Sequence, residues 1–383
     1  MKQIFPSQSR PNVRFAEVQL APATKQDADS LRIDHHKLMF HPDRVSDWLK
    51  GERVYPIYME ISPTGACNHR CIFCGLDFMG YQRRSLDADL LMTRLTEMGS
   101  LGLKSVMFAG EGEPFLHKRM VEIIRHTRNS AGIDVALTTN GVLMRPEVAE
   151  QILGCTAWIK ISLDAGTRET YGAIHGTRPE DFDKVCANIE QAVAIRRRQG
   201  ASCTLGAQLL LLPDNKHEVV SLAERCREMG LDYLVVKPYS QHPQSQHHGF
   251  EGVSYSECDG LAEQLDQVRG NGFNVIFRRN AMDKWDGKTR SYRCCLALPF
   301  WSYLDAGGNI WGCSVYLGDE RFLYGNIAES TFAQIWQGRR RMDSLRWTTE
   351  QLDVSSCRVG CRMDEVNRYL WELKHPHPHV NFI

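Results

Sequence analysis

Three cysteines, Cys67, Cys71 and Cys74, stand within eight residues in a C-x3-C-x2-C run. Thiolates spaced this closely can hold three irons of a [4Fe–4S] cube and leave the fourth iron without a protein ligand. An open iron can bind a small molecule and pass an electron into it. Zinc is the competing reading, but zinc sites usually draw on C-x2-C pairs and need a fourth ligand. His69 could supply that ligand only from inside the loop. A second set lies in the last third of the chain: Cys294-Cys295, Cys313, Cys357 and Cys361. Four thiolates from a hairpin and a distant loop can complete a cube, and a four-thiolate zinc site is the alternative. Cys155, Cys186, Cys203, Cys226 and Cys258 stand alone.

The elements that position these residues are legible from patterning. Strands are expected at Ile57–Ser62, Ser105–Ala109, Asp134–Thr139, Trp158–Leu163, Ser202–Leu212 and Tyr233–Lys237. Helices are expected at Ala88–Leu101, Lys118–Ser130, Arg145–Leu153, Pro179–Gln199 and Lys216–Met229, with Pro179 in a first turn as proline prefers. Short apolar strands alternating with amphipathic helices imply βαβ units and a parallel sheet. Trp301–Cys313 reads as a β-hairpin with a Gly-rich turn. Residues 1–52 form an N-terminal extension carrying a short helix near Asp43–Lys50 and a surface His35-His36 pair. Residues 53–250 form the core and 251–383 a C-terminal domain.

Composition suits an intracellular enzyme of 383 residues, with 46 basic and 46 acidic side chains. That balance implies no broad attraction to nucleic acid or membrane. No apolar run reaches the roughly 18 residues of a membrane span, and the first residues lack a signal-peptide core. Thirteen cysteines clustered without such a signal favour metal ligation in a reducing cytoplasm.

The first cysteine run follows a strand, and Phe108-Ala-Gly-Glu-Gly-Glu-Pro114 comes about 35 residues later. Together they resemble the radical S-adenosylmethionine (SAM) superfamily, with Gly112-Glu113-Pro114 matching its Gly-Gly-Glu-Pro segment. The resemblance implies a partial (β/α)6 barrel of parallel strands. It implies an open iron that chelates SAM, and a 5′-deoxyadenosyl radical that abstracts a hydrogen atom. Phe73 matches the aromatic residue whose backbone faces adenine, and Gly112 and Glu113 the segment whose backbone grips the SAM amino group. Asn140 and Ser162 are expected to make polar contacts to SAM, Gln208 to lie near the adenosine, and Asp164 to face SAM or substrate. The segment Cys295-x12-Gly308-x4-Cys313 resembles the opening of SPASM and twitch extensions. With Cys357 and Cys361 it implies one auxiliary [4Fe–4S] cluster in a small α+β domain, as in 2-deoxy-scyllo-inosamine dehydrogenase-like members. The glycine spacing favours Cys295 over Cys294.

In parallel α/β folds, ligand sites lie at the carboxyl ends of strands. The run Val236–His248 leaves such an end, which nominates Lys237 or His242 as a general acid or base. Tyr239, His247 and His248 accompany them as substrate contacts, and His175 and Arg178 are weaker ones. The expected activity is hydrogen abstraction from a small polar metabolite (a sugar, aminosugar, cyclitol or nucleotide) leading to oxidation or epimerisation. Cys258 is the first candidate to return a hydrogen atom. A flavodoxin- or ferredoxin-type protein would supply the electron. A peptide-modifying maturase is a second reading, and a non-enzymatic iron–sulfur carrier or zinc scaffold a third.

Overall fold

The computed structural model describes residues 31–382. In chain order its principal elements are α1 (Pro42–Leu49), β1 (Tyr58–Ile61), α2 (Ala88–Ser100), β2 (Ser105–Phe108), α3 (Met120–Asn129), β3 (Asp134–Thr139), α4 (Pro146–Ile152), β4 (Trp158–Ser162), α5 (Arg168–His175) and α6 (Asp181–Gln199). There follow β5 (Thr204–Leu211), α7 (Val219–Glu228), β6 (Tyr233–Pro238), α8 (Asp259–Val268), β7 (Asn274–Phe277), α9 (Arg279–Gly287), β8 (Trp301–Leu304), β9 (Asn309–Trp311), β10 (Leu323–Asn326), α10 (Phe332–Gln337), α11 (Arg339–Glu350) and α12 (Asp364–Lys374).

The ten strands among the described residues join one sheet in the order β10-β9-β8-β1-β2-β3-β4-β5-β6-β7. Strands β1 to β7 are parallel and neighbour one another in sequence order. This is the expected partial barrel, extended by a seventh parallel strand, β7. The C-terminal hairpin is no separate sheet: β8 lies parallel to β1, pairing Tyr58 with Trp301 through Ile61 with Leu304. Strands β9 and β10 follow antiparallel. Helix α5 was not expected; it is short and contains Gly172, which weakens its pattern. Helix α6 begins at Asp181 rather than Pro179, so the proline stands in the turn before it.

Alternation along each strand separates two faces. Met59, Ile61, Val106, Phe108, Val135, Leu137, Ile159 and Ile161 are buried under the helices beside Leu91, Leu95, Ile123 and Ile124. Residues of the opposite parity, including Tyr58, Glu60, Met107, Thr138, Lys160, Ser162, Gln208 and Lys237, face the barrel interior. The C-terminal elements are fastened to this frame by buried polar contacts. Trp336, fully buried, donates its indole N–H to the Val54 carbonyl at 2.8 Å. The Glu97 carboxylate accepts the Phe332 and Ala333 amides at the start of α10. Among the described part of the N-terminal extension, α1 forms as expected. His36 stacks on Tyr369 while His35 is exposed. The rest of the extension, residues 1–30, lies outside the described residues.

Trp336 therefore holds α10 against the chain entering β1. Trp336→Ala should cost about 3–5 kcal/mol, the usual range for emptying a buried aromatic site, read as a lower midpoint in denaturant unfolding of the apo chain.

Candidate active site

The first cysteine loop leaves the carboxyl end of β1 and is held mainly by α5. Arg70 and Ile72 amides donate to the His175 and Ile174 carbonyls at 2.9 and 3.0 Å. Gly176 ends α5 with φ +57°, and a Cβ there would stand 2.2 Å from the Arg70 carbonyl oxygen. His175 is fully buried and its Nδ1 lies 3.4 Å from Cys71 Sγ. Its Nε2 accepts the Asp164 amide at 3.3 Å. Burial holds this imidazole neutral, its pKa well below the usual histidine value. A neutral ring that accepts at Nε2 carries its proton on Nδ1, facing the sulfur. His175 is thus a support for a cysteine ligand, not the substrate contact the sequence suggested.

The Gly-Glu-Pro segment packs directly on this loop. A Cβ on Gly112 would lie 2.1 Å from the Ala66 carbonyl oxygen, so only glycine fits. Glu113 is buried and turned inward, accepting from the Thr139 hydroxyl at 2.7 Å and the Asn140 amide at 2.8 Å. The Asn140 side chain donates to Asn68 Oδ1 at 2.7 Å, between two of the cysteines. Asn140 braces the loop through its side chain, and Glu113 through its amide, which donates to the Ala66 carbonyl at 2.9 Å. Asp164 corrects an expectation: it is fully buried, its carboxylate accepts the Leu210 amide at 2.6 Å and it abuts His175. Burial raises its pKa to about 7. Its amide donates to His175 Nε2, and one carboxylate oxygen holds the Leu210 amide. Phe73 meets the His175 ring edge to face at 5.7 Å.

The second cysteine set converges. Cys295, Cys313, Cys357 and Cys361 line one enclosed cavity with Leu298, Val315, Phe322, Leu352 and Val354. Cys294 points elsewhere and packs with Leu38, Trp48 and Leu370. Every one of the four sulfurs already has a polar partner: Asn367 Nδ2 for Cys295, the Val315 amide for Cys313, the Tyr316 hydroxyl for Cys357 and the Met363 amide for Cys361, at 3.3–3.5 Å. The donor set is all thiol, in an apolar cavity, with hydrogen bonds aimed at the sulfurs. That is what a four-iron cube needs. Burial pushes the thiol of Cys295 up to about 12 and that of Cys67 to about 11. Without metal these sulfurs stay protonated; bound cations convert them to thiolates. The three-cysteine loop offers a second all-thiol donor set, its sulfurs hydrogen-bonded by the His69 and Leu76 amides and by His175 Nδ1, and three thiols leave one iron of a cube open.

The run after β6 is where sequence reading went most astray. His242 is 1% exposed; its Nε2 lies 3.3 Å from the Ser314 carbonyl, its Nδ1 accepts the Gln244 amide at 3.1 Å, and its ring stacks on Phe78. Burial lowers its pKa to about 4. With both nitrogens engaged and the ring neutral, His242 is no general acid or base. Ser245 and Gln246 bond the Asp77 carboxylate at 3.1 and 2.8 Å. Ser240 donates to the Val359 carbonyl and accepts from Arg358 Nε. The polar run is a strap joining the Cys67–Cys74 loop to the Cys313 and Cys357–Cys361 loops. Tyr239 is 2% exposed and bonds Gln241, which removes it from the substrate contacts. His247 and His248 are at the surface, and His248 pairs with Glu251. Arg178 is exposed. Cys258 is buried among the helices, away from the interior.

Other side chains do face the interior unengaged. Ser162 and Gln208 are register partners on β4 and β5, and among the described residues no protein group bonds either side chain. Lys237 on β6 also has no carboxylate partner there. Burial lowers its pKa well below the lysine value, assisted by Lys160, Arg278, Arg358 and Arg362. Sequence reading missed Lys160, which parity with Ser162 would have revealed. It also missed Glu111, whose carboxylate accepts the Ala306 amide at 2.9 Å and pairs with Arg84 at 3.0 Å. Glu111 clamps the hairpin turn to the Gly-Glu-Pro loop, a contact between distant segments that no local pattern announces.

Two thiol sites above a parallel barrel are the constellation of radical SAM enzymes. Models of the radical SAM superfamily and of the SPASM iron–sulfur cluster-binding domain match residues 61–226 and 284–362. The chain belongs to the radical SAM superfamily and carries a SPASM domain; it is an enzyme using SAM, a [4Fe–4S] cluster and an auxiliary iron–sulfur centre. Among named relatives, it is 29% identical over 189 residues to GTP 3′,8-cyclase of Chlorobaculum tepidum, covering 48% of this chain and 55% of the relative. It is 31% identical over 221 residues to a probable GTP 3′,8-cyclase of Saccharolobus solfataricus, covering 58% and 67%. The chain thus spans little more than half of the first relative. Streptococcus suis SuiB bound to precursor peptide SuiA has the same fold, with TM-score 0.60 and 18% identity over 79% of this chain and 69% of that one. So does anSMEcpe with bound AdoMet, with TM-score 0.55 and 16% identity over 83% and 95%. No helix among the described residues is long and apolar enough to cross a membrane.

His69, like His242, is buried and has its pKa lowered to about 4. A histidine depressed on folding binds fewer protons than in the unfolded chain between about pH 4 and 6.5, so its stability contribution is lost as pH falls through that window. The apo chain should therefore unfold at lower urea at pH 5 than at pH 7. His242→Gln should shrink that difference, and should leave the pH dependence of turnover unmoved.

Proposed function

We propose that this enzyme oxidises a C–H bond beside a hydroxyl on a small polar metabolite, bound in the barrel interior under both cysteine loops. One observation carries the reading: a single strap, residues 240–246, holds both loops over an interior whose Ser162, Gln208 and Lys237 side chains have no hydrogen-bond or ion-pair partner among the described residues. When loaded, the first site supplies hydrogen abstraction through the 5′-deoxyadenosyl radical of SAM and the second an electron acceptor. The backbone at Gly112 and the side chains of Ser162 and Gln208 hold SAM, and Phe73 presents its backbone to adenine. Cys67, Cys71 and Cys74 hold the first cluster, and Cys295, Cys313, Cys357 and Cys361 the auxiliary one. Lys237, its pKa held well below the usual lysine value by burial and by Lys160, Arg278, Arg358 and Arg362, takes the hydroxyl proton as the carbonyl forms.

Oxidation is favoured over epimerisation because an epimerase needs a hydrogen donor in the interior. Cys203, Cys226 and Cys258 are buried on the helix side of the sheet, and Cys155 and Cys186 pack against the same layer. A small substrate is supported by the relatives named GTP cyclases. A flavodoxin- or ferredoxin-type protein would deliver the reducing electron.

Anaerobic reconstitution should give about eight irons per chain, two four-iron cubes, and release 5′-deoxyadenosine with SAM and dithionite. Cys71→Ala should abolish release. Cys313→Ala should keep release at least in part while halving iron and stopping net oxidation. Release by Cys71→Ala would overturn the reading.

A further inference from the structure

The barrel interior carries a second feature that the proton-accepting role of Lys237 does not use. Lys160 projects from β4 on the parity of Ser162, two residues nearer the amino-terminal end of the strand. The register runs Lys160–Gly206–Tyr233 across β4, β5 and β6, and Ser162–Gln208–Val235 one step above. Lys237 is two residues above Val235. The two lysines therefore differ by four residues along the strands, about 13 Å of strand length. Lys237 stands at the mouth beneath the cysteine loops, and Lys160 stands deep.

Lys160 has no carboxylate within ion-pair distance among the described residues; its ammonium lies 5.6 Å from the Trp158 ring centre. The nearby cations are already committed. Arg362 pairs with Glu60 at 3.1 Å and bonds the Tyr58 hydroxyl at 2.6 Å. Arg278 pairs with Asp34 at 2.8 Å. The acids that act on Lys160, Glu60 and Asp164, are outside ion-pair distance: Glu60 pairs with Arg362, and one Asp164 oxygen accepts the Leu210 amide. Burying an ammonium among other cations without a counter-ion is costly. Burial, then Arg362 and Arg278, bring the Lys160 pKa down to about 7, with Glu60 and Asp164 acting the other way. A chain that needed only a filled interior could have placed an apolar residue there, as it does at Met107 and Ala136 on β2 and β3.

We propose that Lys160 is an anion anchor, and that the substrate carries an oxyanion group, phosphoryl or carboxylate, remote from the carbon that reacts. The anchored group occupies the deep end while the reacting carbon reaches Lys237 at the mouth. Such a tether fixes which C–H bond is presented, because rotation about the deep anchor is limited by the barrel wall. The proposal rests on the oxidation reading above, and it adds the charge and reach of the substrate.

The test titrates anaerobically reconstituted, SAM-loaded holoenzyme calorimetrically with inorganic pyrophosphate and, separately, with malonate. We expect saturable binding of at least one. Lys160→Gln should weaken it by about tenfold or more, as loss of one charge-assisted hydrogen bond implies. Lys160→Arg should retain it, and Lys118→Gln on the outer surface should change neither binding nor turnover. Pyrophosphate binding alone assigns a phosphoryl group, and malonate binding alone a carboxylate. Iron content and circular dichroism check that Lys160→Gln is folded, and Lys160→Met, titrated in the same way, replaces it if it is not. Absence of saturable binding by either probe, or wild-type binding in folded Lys160→Gln, overturns the proposal. Release of 5′-deoxyadenosine in the same samples separates the two readings. Wild-type enzyme that binds the probe but releases none sinks the oxidation reading, whereas release without anion binding sinks only the anchor.

Discussion

The parallel pairing of β8 on β1 is the constraint on which the rest of the molecule depends. Four register pairs, Tyr58–Trp301 to Ile61–Leu304, attach the SPASM hairpin to the first barrel strand. The cysteine loop after β1 and the cavity beside β9 therefore share one sheet and cannot drift apart as separate domains would. Glu111, Arg362 and the strap then close contacts between segments that the sheet has already brought together. A hinge at this junction would leave the distance between the two redox sites undefined, and electron passage between centres needs that distance fixed.

Buried polar groups fall into two populations. Glu111, Glu113, Asp77, Asp164, His175 and His242 are fully or nearly fully buried, and each holds two pieces of backbone or two side chains together. Their cost of desolvation is met by hydrogen bonds, one Asp164 oxygen excepted, and their work is to position loops. Ser162, Gln208, Lys160 and Lys237 are different. They face the interior, and among the described residues no protein group hydrogen-bonds or ion-pairs with their side chains. On the function proposed above, such unengaged groups are the ones left for substrate and SAM to bond.

The strap shows how a polar sequence can mislead. Histidines and serines after a strand of a parallel barrel lie where ligands bind in such folds, and Lys237 does face the interior. Yet His242, Ser245 and Gln246 are consumed within the protein, because the strap must cross between two loops and satisfy its own backbone on the way. Residue type and strand-end position were legible for Lys237 and His242 alike. Only the direction of each side chain distinguishes them.

The sequence by itself determined the two cysteine sets, the alternation of strands and helices, and the Gly-Glu-Pro loop. These are local: thiol spacing within eight residues, a period of two along strands, and a glycine that alone tolerates the Ala66 carbonyl. Tertiary structure decided that Cys295 rather than Cys294 lines the second cavity, since the two neighbours point to opposite sides of the same backbone. It also decided that His175 supports Cys71, that Asp164 lies behind it, and that Lys160 belongs to the interior with Lys237. Each of those depends on which residues far apart in the chain come to face one another. That is set by strand register and helix packing summed over the whole sheet, and no short stretch of sequence encodes it.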